Sequence, residues 1–221
     1  MTKKLEPPYA ESIIRQIKYF TEREAKKRDQ IVLGYFGEHG INRIADLVVN
    51  YLVSPPKLKR DAHILDVGAG SGIFTIKIIR ALRNHVPNAS FYAMDITPIM
   101  LKIILRKTSE VIPILGIAGD IIRSIKYAKR FIKVPEKFDA IFSILTLHHC
   151  LDVSKVFKSI KNALKSNGKA VIVDLCEHPF EEFKKEMGDI HLGFSLEFIK
   201  KVAEEYFFKV HVRKIPGIYC E

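Results

Sequence analysis

Between residues 62 and 147 the chain repeats one cycle: a short apolar run, a polar or acidic tip, then a stretch of helical period. The apolar runs are AHILDV (62–67), SFYAMD (90–95), IPILGIAGD (112–120) and FDAIFSILTL (138–147). The helical stretches between them cover 75–86, 98–111 and 121–134, and a further helix (154–164) leads into KAVIVDL (169–175). Strands that alternate with helices build βαβ units, and so a mostly parallel sheet. Runs that are apolar almost throughout agree, because a parallel sheet is covered on both faces. The expected fold is α/β: a Rossmann-like, doubly wound sheet with helices on both faces. Ligands of such sheets bind beyond the carboxyl ends of the strands. Asp66, Asp95, Asp120 and Ser143 are expected at four successive ends.

The first sixty residues differ. Residues 11–33 and 41–53 read as helices, GEHG (37–40) as a break and Pro55–Pro56 as a stop. They are expected to form a helical extension or lid (1–60) ahead of the main domain (61–221). With 221 residues, 48% of them hydrophobic, the chain is long enough for one large buried core. It has no apolar run long enough for a membrane span and no apolar segment of the secretory kind at its start. Cys150, Cys176 and Cys220 form neither a CxxC pair nor a disulfide framework. A cytoplasmic protein with reduced thiols is expected. The net charge of +11 would attract polyanions, RNA among them. Its one local expression is helix 121–134, where Arg123, Lys126, Arg130 and Lys133 share one stripe.

The first apolar run leads into glycines at alternate positions: Gly68, Gly70 and Gly72. No Gly-Lys-Ser/Thr follows, which excludes a P-loop. The dinucleotide fingerprint G-x-G-x-x-G requires glycine at 73, where the chain has Ile73. What remains is a tight turn without side chains, against which a ligand can lie. Asp66 suits an ammonium group. Asp95, at the tip of the next strand, suits the two hydroxyls of a ribose. Asp120 can accept from an exocyclic amine, and the amide of Ile121 can donate to a ring nitrogen. A ligand with an amino-acid head, a ribose and an adenine but no phosphate is S-adenosyl-L-methionine.

The segments LDVGAGSG, YAMD, AGD, FDAIFSILTLHH and LKSNGKAVIVDL, in this order, resemble the motifs of the class I S-adenosylmethionine-dependent methyltransferases over residues 62 to 176. The following DLCEHPFEEFKKEMGDIHLGFSLEFIKKV is similar to the ubiquinone/menaquinone-biosynthesis type of small-molecule methyltransferase. The resemblance implies that Gly68, Ala69, Gly70 and Gly72 line the methionine part and Asp66 orders its amino end. It implies that Asp95, with Ile96 beside it, holds the ribose, Asp120 and Ile121 the adenine, and that Ser143 faces the methionine moiety. S-adenosyl-L-homocysteine would be the product. A seven-stranded sheet is also implied. KVHVRKI (209–215) would be its sixth strand, with the seventh short or missing. An open sheet edge would invite a second copy of the chain, making a homodimer.

Transfer of a sulfonium methyl requires an aligned nucleophile and, where that atom carries a proton, a base. His148 and His149 lie just beyond the fourth strand and are the candidates; packing or capping is the alternative role for the pair. His178 and His191 are candidate walls of the acceptor site. Asp174 is either a pocket wall or a structural carboxylate. The position after the fourth strand reads SILT, without the proline motif of amino-methylating enzymes. Cys150 lacks the Pro-Cys or Thr-Cys setting of a cytosine-attacking thiol. No metal site is expected, because the histidines and cysteines lack ligand spacing. The expected function is methylation of a small molecule, with an RNA (tRNA or rRNA) or protein methyltransferase using the basic surface as the alternative.

Overall fold

The computed structural model describes residues 7–20 and 22–218. Five strands, β1 (His63–Val67), β2 (Ser90–Asp95), β3 (Val111–Leu115), β4 (Phe138–Ile144) and β5 (Leu164–Val173), form one sheet in the order β3-β2-β1-β4-β5. Every pairing is parallel. The strand order reverses at β1, which has β2 on one side and β4 on the other, so a crevice opens beyond the carboxyl ends there.

Among the described residues eight α-helices surround the sheet: α1 (Pro7–Tyr19), α2 (Glu22–Val53), α3 (Ile73–Leu82), α4 (Pro98–Lys107), α5 (Ile121–Ala128), α6 (Val153–Ala163), α7 (Glu182–Glu186) and α8 (Leu196–Glu204). On one face Ile41, Ile44, Val48 and Leu52 of α2 pack with Ile78 and Leu82 of α3. On the other, Ile121 and Ile125 of α5, Val156 and Ile160 of α6, and Val202 of α8 form a second apolar layer. Residues 41–52 thus share a core with the sheet.

The expected helix over 11–33 is two helices, α1 and the start of α2. The break at GEHG appears as Gly37, whose φ of 59° and ψ of 171° interrupt α2. The helix expected at 154–164 ends at Ala163 as α6, and Asn167 and Gly168 lie within β5, where the ladder with β4 shifts register. Residues 209–215 are not a strand. Val210 packs on the α5–α6 layer and Ile215 on the α2–α3 layer, so the segment passes around the molecule instead of pairing. Of GIYCE (217–221), the stretch left for a short seventh strand, Gly217 and Ile218 are not in a strand, and residues 219–221, Cys220 among them, lie outside the described residues.

Two contacts fasten the layers. The last carbonyls of a helix have no partner within it. At the end of α2 Lys169 of β5 donates to them, from Nζ to Tyr51 O (3.3 Å), Leu52 O (3.1 Å) and Ser54 O (2.5 Å). The turn from β1 into α3 is pressed on α4. A Cβ at Gly72, where φ is 83°, would lie 2.5 Å from Cγ1 of Ile104, which is fully buried. Gly72→Ala should therefore destabilise the fold by about 1–3 kcal/mol in urea unfolding, through strain and overpacking. Gly34→Ala should act oppositely. Gly34 lies inside α2, and a Cβ added there would have nothing within 4 Å, so the substitution should stabilise by about 0.5–1 kcal/mol.

Candidate functional site

The turn after β1 is held by the end of β2. Gly68 N and Ala69 N both donate to Met94 O, at 2.8 and 3.0 Å. Gly70 N donates to Asp95 Oδ2 at 2.8 Å. The other oxygen of Asp95 accepts from Thr97 N (2.8 Å) and Thr97 Oγ1 (2.5 Å). On the far side, a Cβ at Gly68 (φ 77°) would stand 2.2 Å from Thr146 Oγ1, so glycine alone fits against the chain leaving β4. Burial pushes the pKa of Asp95 up, against the hydrogen bonds from Thr97 and Gly70 and the charge of Arg28. Asp66 is buried behind the turn, where Thr75 Oγ1 donates to it at 2.6 Å. Burial, with Asp95 nearby, pushes its pKa up to about 7.

Asp174 organises the opposite wall. Its Oδ2 accepts from Thr146 N (3.0 Å) and Leu147 N (2.7 Å), and its Oδ1 from Leu175 N (2.9 Å). The Nδ1 of His148 lies 2.6 Å from that same Oδ1. Burial opposes ionisation here, but His148 and the amides outweigh it and hold the carboxyl below its usual range. The bend out of β4 places Leu145 at φ 53°, a left-handed conformation that a leucine adopts only when its surroundings impose it. His149 is buried, its Nδ1 3.4 Å from Gly188 O and its Nε2 without a partner among the described residues. Burial and the charges of His148 and Arg28 hold its pKa well below the usual imidazole value. The ring of Phe20 meets it edge-on at 5.7 Å.

Between these walls lies a cleft of about 800 Å³, roofed by Ser12, Ile13 and Gln16 of α1, by Phe20, and by Arg28 of α2. Asp29 latches this roof: Ser71 Oγ and Lys107 Nζ both donate to it, and Lys107 Nζ also donates to Ser71 O at 2.8 Å.

Of the residues expected in the site, Gly68, Gly70, Asp95, Ile96 and His149 line this cleft. Ala69, Gly72 and Asp66 shape the turn from behind. Asp120 caps α5, accepting from Arg123 N at 3.4 Å, while its neighbours Ala118 and Gly119 line the cleft. Ile121 cannot donate to a ring nitrogen, because its amide donates to Ser159 Oγ at 2.8 Å. Ser143 does not face the cleft; it is buried and donates to Val67 O at 2.7 Å. His148 turns to Asp174 and lines a second, smaller cavity. His178 accepts from Phe180 N at 3.3 Å and packs on Phe180 and Phe183. His191 Nε2 is engaged with Cys150 O at 2.9 Å. Neither histidine lines the cleft. Burial, with Asp174, pushes the Cys150 thiol up to about 12, which makes it a poor nucleophile.

Sequence reasoning missed Arg28 and Thr146. Arg28 stands in the basic run Lys26, Lys27, Arg28, in which nothing marks one residue as inward. Thr146 could have been found by asking what fills the space left by Gly68. Among the described residues no helix is long and apolar enough to cross a membrane.

The raised Asp66 fixes a pH dependence for the ligand-free chain. Unfolded, this carboxyl loses its proton near its ordinary value of 3.8; folded, it keeps the proton until about 7. Its contribution to stability is therefore complete below the first value and lost as the pH climbs to the second. Asp66→Asn still accepts from Thr75, so it should be more stable than the parent at pH 8. In denaturant titrations the two should converge as the pH falls toward 4.

The family model for "Methyltransferase domain" matches residues 58–208. Malonyl-[acyl-carrier protein] O-methyltransferase 1 of Ilyobacter polytropus is 26% identical over 144 residues, 64% of this chain and 49% of that protein. The ubiquinone/menaquinone biosynthesis C-methyltransferase UbiE of Rickettsia peacockii is 25% identical over 145 residues, 65% of this chain and 55% of that protein. The chain thus spans about half the length of the curated relatives it matches. Two solved structures share the fold. A SAM-dependent methyltransferase from Aquifex aeolicus has a TM-score of 0.58 at 19% identity, covering 87% of this chain and 90% of its own. Phosphoethanolamine N-methyltransferase 2 of Haemonchus contortus, in complex with S-adenosyl-L-methionine, has a TM-score of 0.59 at 22% identity, covering 85% and 41%. With more than half its length matched by the family model, the chain belongs to the methyltransferase-domain family.

Proposed function

We propose that this chain binds S-adenosyl-L-methionine in the cleft and catalyses methylation of a small-molecule acceptor. One observation carries the reading: the carboxylate of Asp95, at the tip of β2, lines the same cleft as the bare backbone of Gly68 and Gly70. Bound there, the cofactor supplies a methyl group already activated by a positive sulfur. In this reading Asp95 accepts from the ribose hydroxyls. Ile117, Ala118 and Gly119 border the adenine, and the glycine turn borders the methionine part. Asp66, one layer back, acts on the amino end through the turn. Arg28, which has no hydrogen bond or ion pair with another described residue, offers its guanidinium to a carboxylate.

The histidine of the cleft is His149. Its Nε2 has no partner among the described residues and can take a proton from the acceptor; burial keeps the ring neutral beforehand and makes it a weak base. His148 is a positioning residue in this reading, tied to Asp174. The N-terminal helices act as the lid, with Phe20 on the His149 ring and Ile13 beside it; the acceptor enters where they part. The relatives named above act on different atoms, carbon and oxygen, so the atom methylated is not carried over from them. The RNA alternative lacks a comparable support, since none of Arg123, Lys126, Arg130 and Lys133 lines the cleft.

Calorimetric titration with S-adenosyl-L-homocysteine tests the cofactor assignment. The parent should bind, and Asp95→Ala should bind about 10–100-fold more weakly, the effect of losing hydrogen bonds to a charged group. Equal affinity in the variant would reject the ribose contact. Against a panel of small acceptors, with a radiolabelled methyl donor, His149→Gln should lower kcat by about 10²–10⁴-fold and leave cofactor affinity in place.

A further inference from the structure

We infer that His148, His149 and Asp189 form a buried site for a divalent transition-metal ion. Each offers one ligand atom, and these atoms lie within 4.8 Å of one another. His148 Nε2 is 3.7 Å, and His149 Nδ1 3.5 Å, from the same Asp189 Oδ1. Ligands bound at about 2.0–2.2 Å to a tetrahedral zinc stand roughly 3.3–3.6 Å apart; the two separations from Asp189 are close to this, and closing around an ion requires the histidine rings to draw together and His149 Nδ1 to exchange Gly188 O for the metal. Two imidazoles and one carboxylate make a donor set suited to zinc and to the neighbouring divalent ions.

Asp189 Oδ1 is the observation that points to a ligand. The residue is 4% exposed, yet this oxygen has no hydrogen-bond partner among the described residues. Buried carboxylate oxygens are ordinarily satisfied, and an orphan one marks a missing cation or donor. The surroundings are built to hold it still. Ile190 N and His191 N both donate to His148 O, at 2.9 and 3.0 Å, which fastens the Asp189 segment to the histidine pair. Asp174 takes Nδ1 of His148 at 2.6 Å, leaving the Nε2 lone pair on the side of Asp189. A carboxylate behind a ligating histidine fixes its tautomer and raises its basicity, as outer partners at metal centres do. Three protein ligands leave a fourth position free. The adjoining cavity of about 350 Å³, lined by His148, Asp189 and Arg28, provides an approach. Arg28 is the cation such an ion must tolerate; Asp174 and Asp189 set two carboxylates against it.

A consequence follows that rests on the proposed function. An ion on Nδ1 of His149 leaves the ring's proton on Nε2, the atom assigned to accept a proton from the acceptor. Metal occupancy and that role exclude each other, so the filled site acts as a brake on methyl transfer. The site itself does not depend on methyl transfer.

The test uses the full chain, stripped with chelator and titrated with cobalt(II) and, separately, zinc. One equivalent of cobalt should develop the intense visible bands of a four- or five-coordinate ion. Zinc should displace it and raise the Tm, as a ligand of the native state does. Asp189→Asn should lose the bands, and Asp174→Asn should bind about 10–100-fold more weakly. Circular dichroism checks that each variant is folded. Should a buried variant not fold, a protein with the exposed His39, His85 and His211 all changed to Gln decides, since it should bind as the parent does. A spectrum that stays that of the hydrated ion overturns the site. So does tight binding that survives Asp189→Asn, or that vanishes with the exposed histidines. None of these readouts needs a methyl donor or acceptor, so they stand apart from the test of the proposed function.

Discussion

The amides of Gly68, Ala69 and Gly70 all find their acceptors at the tip of β2, on Met94 O and the carboxylate of Asp95. This is the constraint around which the rest is arranged. It draws the first turn sideways toward β2, and it orients Asp95 by engaging both of its oxygens. On the other side the turn meets Thr146, where a single added carbon would clash. The switch point of the sheet is therefore closed on both flanks by contacts to main chain, and a ligand there meets backbone and one carboxylate.

Buried charge organises both walls. Four acids (Asp66, Asp95, Asp174 and Asp189) are buried near the carboxyl ends of the strands or just beyond them, and burial pushes each toward its neutral form. Asp174 alone is held below the ordinary range, because three amides and His148 converge on it. It fixes the exit of β4 and the direction of the His148 ring. A polar group inside the protein is thus a local scaffold, and its partners decide its protonation.

Much of the frame was legible because parallel strands are covered on both sides. IL in β1, FYAM in β2 and AIF in β4 read as unbroken apolar runs, and their acidic tips marked the ligand edge. The site was legible where backbone dictated residue type, at Gly68, Gly70 and Asp95. It was illegible where side chains compete for the same atoms. Ser143 and Ile121 stand at suitable places, but their donors are taken by Val67 and Ser159. Residues 209–215 alternate like a strand, yet what holds the segment is Val210 on one apolar layer and Ile215 on the other, not pairing with a neighbour. Asp189 joins the histidines across a long stretch of chain, a proximity that no local spacing displays. Arg28 was hidden among exposed neighbours of the same charge.

The long second helix has different attachments at its two ends. Past Gly37 it is buried in the core and capped by Lys169; before Gly37 it touches the cleft through Arg28 and is latched by Asp29 to Ser71 and Lys107. The Asp29–Lys107 ion pair is partly exposed, and such pairs hold weakly. Among the described residues the contacts over the cleft are few and mostly polar, with the Phe20–His149 ring contact among them, while Val32 and Phe36 of the same stretch are packed into the core. The segment before Gly37 thus combines a polar rim over the cleft, at Arg28 and Asp29, with an apolar anchor at Val32 and Phe36.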